Sequence, residues 1–163
     1  MADKGLLANK RVLIVDDEKD VLELMEELLP MCEVVTAGSF EEAAELLENQ
    51  YFDLAVLDIM GVDGYKLLEI AVKREITAVM LTAHALSPED TVKSFKKGAA
   101  YYIPKEHMAD IATFLTEVLE DKYQGRNPLA SWLDKWVSIY DKRFGPDWKN
   151  KDQKFWEDFP DWD

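Results

Sequence analysis

Apolar runs of four or five residues recur along this chain, separated by stretches whose apolar positions repeat at helical spacing. The runs Arg11-Val12-Leu13-Ile14-Val15, Leu54-Ala55-Val56-Leu57, Ala78-Val79-Met80-Leu81 and Ala100-Tyr101-Tyr102-Ile103 are apolar almost throughout, as strands buried on both faces are. The pattern predicts strands near 11–15, 33–36, 53–57, 78–82 and 100–103, and helices near 19–29, 39–49, 64–74, 88–97 and 106–122. Two helix starts are explicit. Ser39-Phe-Glu-Glu is a capping box, and Ser87-Pro88 pairs an N-cap serine with proline at the first helical position. Five successive βα units imply an α/β fold, a doubly wound five-stranded parallel sheet with helices on both faces. Right-handed crossovers leave few topologies, and the expected strand order is 2-1-3-4-5.

Beyond Tyr123 the pattern changes. Gln-Gly-Arg-Asn-Pro is a breaker cluster, and all five tryptophans (132, 136, 148, 156 and 162) lie past it. Leu129, Leu133, Trp136, Tyr140 and Phe144 follow at spacings of 4, 3, 4 and 4, one apolar stripe of an amphipathic helix. The division expected is an N-terminal lead over 1–8, a domain over 9–123 and a Trp-rich extension with an amphipathic helix over 124–163. A stripe of that kind must be buried. The favoured reading folds it back on the domain as a structural extension; the alternative is a segment that docks on a partner.

Composition narrows the possibilities. The formal charge is −14, with 25 acids against 12 Lys and Arg in residues 1–124 but 8 against 7 in the remainder. An acidic domain repels phosphate backbones, so protein partners are expected rather than nucleic acid. No run is long enough to span a bilayer and the N-terminus lacks a secretory layout, which points to a cytoplasmic protein with no membrane association. The lone Cys32 permits no internal disulfide and reads as a packing residue.

Each strand ends on chemistry. The first stops at Asp16-Asp17-Glu18, the next at Asp58, a third delivers Thr82, and the last leads through Pro104 to Lys105. Parallel strands point their carboxyl ends at one edge, where ligands bind, so these residues are expected to meet there. Three carboxylates within about 5 Å of one another repel by roughly 3 kcal/mol per pair at an effective dielectric near 20, which calls for a proton or a cation. Oxygen-only ligands suit Mg²⁺, or Mn²⁺. Beside such an ion one carboxylate can attack phosphorus, giving an aspartyl phosphate, while an ammonium neutralises the transferred oxygens. Asp58, alone at its strand end, is the nucleophile expected, Lys105 the ammonium, Asp16 and Asp17 the metal pair, and Thr82 a hydrogen-bond partner for the phosphoryl group.

The motifs Val15-Asp16-Asp17-Glu18, Leu57-Asp58-Ile59-Met60, Leu81-Thr82-Ala83 and Gly98-Ala99-x-x-Tyr102-x-x-Lys105 together resemble the receiver domain of two-component response regulators, over roughly residues 9–123. The resemblance implies a flavodoxin-like fold and a phosphoacceptor at Asp58, phosphorylated by a histidine kinase or phosphotransfer protein. It also implies a metal shell of Asp16, Asp17, Asp58 and the backbone carbonyl of Met60, a phosphate-binding Lys105, a switch hydroxyl on Thr82 and a rotating aromatic at Tyr102. Tyr101 is the alternative for that last role. Met60 and His84 fall where the family tunes phosphoryl lifetime, though His84 also reads as a plain loop histidine. Output is expected by contact with a downstream protein or by homodimerisation.

Two departures stand out. The segment Asp58-Ile-Met-Gly-Val-Asp-Gly64 is shorter than the family's turn and lacks its proline, with Gly61 and Gly64 expected to supply backbone freedom. The family's Lys-Pro is replaced by Pro104-Lys105-Glu106. Two other readings are weighed against a working receiver. A haloacid dehalogenase-like phosphatase would want a second Asp where Met60 stands and a cap domain; an unphosphorylated pseudo-receiver scaffold would normally have lost one of the site residues, and none is missing.

Overall fold

A computed structural model describes residues 2–83 and 88–148. The five strands are β1 (Arg11–Val15), β2 (Glu33–Ala37), β3 (Leu54–Asp58), β4 (Thr77–Thr82) and β5 (Tyr101–Pro104). All pair in parallel in the order β2-β1-β3-β4-β5, as the sequence predicts. Val12 to Val15, Leu54 to Leu57 and Val79 to Leu81 are each fully shielded from solvent, which accounts for their continuous apolar character.

The helices are α1 (Ala2–Leu7), α2 (Lys19–Leu28), α3 (Phe40–Asn49), α4 (Gly64–Lys73), α5 (Pro88–Lys96), α6 (Ile111–Gln124) and α7 (Pro128–Phe144). α2 packs with α6, and α3 with α4. Tyr65 of α4 reaches α5 through a 3.1 Å bond to Asp90 Oδ1. At the start of α3 the Ser39 hydroxyl accepts the Glu42 N–H at 3.2 Å, while the Glu42 carboxylate reaches back one residue further than a standard capping box, to the Gly38 N–H at 2.8 Å. Ser87, the other expected cap, lies outside the described residues.

Three elements differ from the sequence expectation. The lead over 1–8 contains α1, which packs on α6, with Leu7 buried and its carbonyl accepting from the Cys32 thiol at 3.5 Å. The helix expected from 106 begins instead as a 3₁₀ turn over Lys105–Asp110, after which α6 runs from Ile111. The tail helix buries Trp132, a residue absent from the expected stripe, along with Leu129, Leu133, Trp136 and Tyr140, whereas Phe144 sits at the rim, 36 % exposed. α7 starts sharply because the Asn127 side chain accepts the Ala130 N–H at 3.0 Å and Pro128 follows at the first helical position. It then lies along β5, α6 and α5, so the stripe is buried within the chain.

Candidate functional site

The carboxyl ends of β1 and β3 and the first residue after β5 converge on one cluster. Asp16, directly after β1, is fully buried, and Asp58, the last residue of β3, is 3 % exposed. Between them stands the Lys105 ammonium, 2.7 Å from Asp16 Oδ2 and 3.7 Å from Asp58 Oδ1. It also holds Glu18 Oε1 at 2.8 Å, on the solvent side. Asp16 Oδ1 accepts the Glu18 N–H at 2.9 Å, which fixes its orientation. Asp17 is exposed, and its carboxylate gathers with those of Asp16 and Glu18 within 4.8 Å. In the sequence only its adjacency to the Asp pair marks Glu18, and the fold shows that it shares Lys105.

Electrostatics follow from the geometry. Burial, then the charge of Asp16, pushes the Asp58 carboxyl up to about 6. Burial also raises Asp16, against the opposing effects of Lys105 and the Glu18 N–H. Burial works against the Lys105 charge, but its hydrogen bonds to Asp16 and Glu18 hold its pKa above the usual value. The exposed Glu18 is lowered by its bond to Lys105. Three carboxylates therefore share one ammonium with a fourth, Asp17, beside them, and the buried Asp58 Oδ1 has no hydrogen-bond donor. A hard divalent cation fits this donor set.

The loop after β3 is shaped by space more than by glycine's conformational freedom. A Cβ on Gly61 would collide with the Asp17 carboxylate, and one on Gly64 with the Asp58 carbonyl oxygen. Neither glycine has positive φ. The left-handed position is Asp63, at φ 55°. The expectation of backbone freedom at the glycines is thus corrected: they are small because the acid loop and the acceptor's own backbone press against them. Within this turn the Met60 carbonyl accepts the Asp63 N–H at 3.3 Å, leaving its second lone pair for another partner, while the Met60 side chain is 58 % exposed.

Thr82 ends β4, buried and in register with Pro104. Tyr102 is in register with Met80 and so shares a sheet face with Thr82, which stands two residues beyond Met80. Tyr102 is not part of the acid cluster. Its ring lies under α7, 6.3 Å from that of Trp132 and nearly perpendicular to it, and its carbonyl accepts the Trp132 indole N–H at 2.9 Å. Tyr101 turns to the other face, where it stacks on Phe114, donates to Glu117 Oε2 at 3.2 Å and accepts the Trp136 indole N–H at 3.0 Å. His84 lies outside the described residues.

A parallel 2-1-3-4-5 sheet with acids and a lysine at its carboxyl edge defines the class, and comparison with known proteins agrees. The family model described as "Response regulator receiver domain" matches residues 12–116, and the chain belongs to that family. It is 35 % identical over 128 residues to the two-component response regulator ARR12 of Arabidopsis thaliana, covering 72 % of this chain and 21 % of that protein. A similar level, 35 % over 116 residues, relates it to a probable transcriptional regulator, ycf27, of Cyanophora paradoxa, covering 65 % of this chain and 48 % of the relative. Among solved structures, a CheY-like receiver domain protein from Methanospirillum hungatei aligns with TM-score 0.65 and 32 % identity, covering 72 % of this chain and 99 % of that one. The chain thus spans about a fifth to a half of the length of these curated relatives. Among the described residues no helix is long and apolar enough to cross a membrane.

Proposed function

We propose that Asp58 accepts a phosphoryl group from the phosphohistidine of a sensor kinase or phosphotransfer protein, and that the phosphorylated protein signals through protein contacts in the cytoplasm. In the transfer an Asp58 carboxylate oxygen forms the new P–O bond as the P–N bond breaks, the electron pair leaving on the imidazole nitrogen. The observation that carries this reading is the ammonium of Lys105 set between Asp16 and Asp58, 2.7 and 3.7 Å away. Lys105 is close enough to move onto a phosphoryl oxygen, giving up its exposed partner Glu18 before its buried one.

Asp16, Asp17, Asp58 and the Met60 carbonyl would hold Mg²⁺ or Mn²⁺, with Glu18 as a further oxygen donor. When bound, the ion neutralises charge on the transferred oxygens. Thr82 would donate to the phosphoryl group and Tyr102 would follow its movement. The fit is supported by an acid cluster in excess of its one ammonium and by the donorless Asp58 oxygen. Residues 9–123 would form the receiver unit. The acidic balance of that unit favours protein over nucleic-acid partners.

Acetyl phosphate with Mg²⁺ should add one phosphoryl mass to the protein, and Asp58→Asn should abolish the addition. Equal labelling of both proteins, read by intact mass, would remove Asp58 as the acceptor.

A further inference from the structure

The open edge of β5 is covered by the chain's own tail, and three of the ties that hold the tail fall on Tyr102, Glu106 and His107, close in the chain to Lys105. Trp132 donates to the Tyr102 carbonyl at 2.9 Å, closing a backbone acceptor on an edge strand. Tyr140, fully buried, bonds through its hydroxyl to that of Thr91 on α5. Burial pushes the Tyr140 phenol up, with Tyr102 and Asp90 near enough to add to the shift. The 3₁₀ turn that opens with Lys105 is tied twice: Glu106 lies 3.7 Å from Arg143 Nη1, and the His107 ring meets Trp136 edge-on at 5.0 Å.

We infer that the face formed by α5, β5 and the Lys105–Asp110 turn is an interaction surface whose occupant is α7 of the same chain, and that α7 reads the state of Asp58. It is docked when Asp58 is free and loosened when Asp58 carries a phosphoryl group. The inference rests on the Asp58 reading. A phosphoryl group carries close to two negative charges where the free Asp58 carboxylate carries one, so the negative charge beside Lys105 grows by about one. As Lys105 moves from Glu18 toward that charge, the next two residues, Glu106 and His107, move with it, and both hold α7. A shift of Tyr102 toward Thr82 draws on the Trp132 contact from the other side. Neither displacement is compatible with all four ties, so the docked helix is one state of a two-state element. Coupling is reciprocal: whatever weakens docking must favour the phosphoryl-bearing state by the same factor.

Full-length protein with Mg²⁺ and beryllofluoride, a phosphoryl mimic, provides the test, with occupancy followed by fluorine NMR and helix protection by hydrogen exchange. Amides of α7 should exchange at least roughly tenfold faster in the mimic-bound protein while those of α3 stay unchanged. Trp132→Phe keeps a ring but loses the indole N–H, and Tyr140→Phe loses the hydroxyl; each should bind beryllofluoride roughly fivefold more tightly, the equivalent of one hydrogen bond. Binding without any change in α7, equal acceleration of α3, or unaltered affinity in both variants would overturn the inference and leave the receiver reading intact. Failure to bind the mimic, together with failure of Asp58 to take up a phosphoryl group, would overturn both.

Discussion

Two buried regions of this protein treat polar atoms in opposite ways. Under α7, the indole N–H groups of Trp132 and Trp136 and the hydroxyls of Tyr101 and Tyr140 are buried with partners: Trp132 with the Tyr102 carbonyl, Trp136 with Tyr101, Tyr140 with Thr91. At the carboxyl edge of the sheet, Asp16 and Asp58 are just as buried, yet they crowd one ammonium and Asp58 Oδ1 lacks a donor. Satisfied polar burial alongside large aromatic area stabilises the fold, whereas unsatisfied carboxylate burial leaves a site short of positive charge. The difference separates the part of the molecule that is packed for stability from the part held ready for an incoming ligand.

Substitution should therefore act with opposite signs in the two regions. The largest effect is expected from Trp132→Ala, which opens a cavity among Phe95, Tyr102, Trp136 and Tyr140 and strands the Tyr102 carbonyl. A loss of about 3–5 kcal/mol in urea unfolding is expected. A loss below about 1 kcal/mol would show that α7 contributes little to the core.

Asp58→Asn should instead stabilise. The Asp58 pKa is about 6 in the fold against 3.8 unperturbed, so the folded state binds the proton more tightly and stability falls as pH rises through that window. Above about pH 6 the charged carboxylate costs on the order of 3 kcal/mol, by the relation of about 1.4 kcal/mol per pH unit. In Mg²⁺-free buffer the Asn variant should melt higher than the parent at about pH 7 and lose that advantage near pH 4. Identical melting curves at both values would remove the electrostatic contrast.

A smaller effect is expected at the loop after β3. Gly61→Ala must displace the Asp17 carboxylate, an exposed and movable group, so the fold should persist while Mg²⁺ affinity falls roughly tenfold by titration calorimetry. Unchanged affinity would take Asp17 out of the metal shell.

Much of the sheet was legible because parallel strands buried on both faces leave uninterrupted apolar runs, and each run here ends in a chemically distinctive residue. Thr82 and Asp58 could be assigned to strand ends on that ground alone. Other features left no such trace. Glu18 reads as one more surface acid until Lys105, 87 residues away, is brought to 2.8 Å. Gly61 and Gly64 suggest conformational freedom until neighbouring backbone and carboxylate are seen to fill the space a Cβ would need. Trp132 fell outside the spacing-based stripe because a helix packed into the groove beside an edge strand buries a wider arc than one seam.

The order of elements, the edge at which the acids gather and the amphipathic character of the tail are all written in the residue pattern. These depend on local periodicity and on the rule that parallel strands share a direction. Long-range packing sets how one ammonium is divided among several carboxylates, and lays the tail against β5 with its indoles bonded to Tyr101 and Tyr102. Both are matters of distance between residues remote in the chain, which no local pattern encodes.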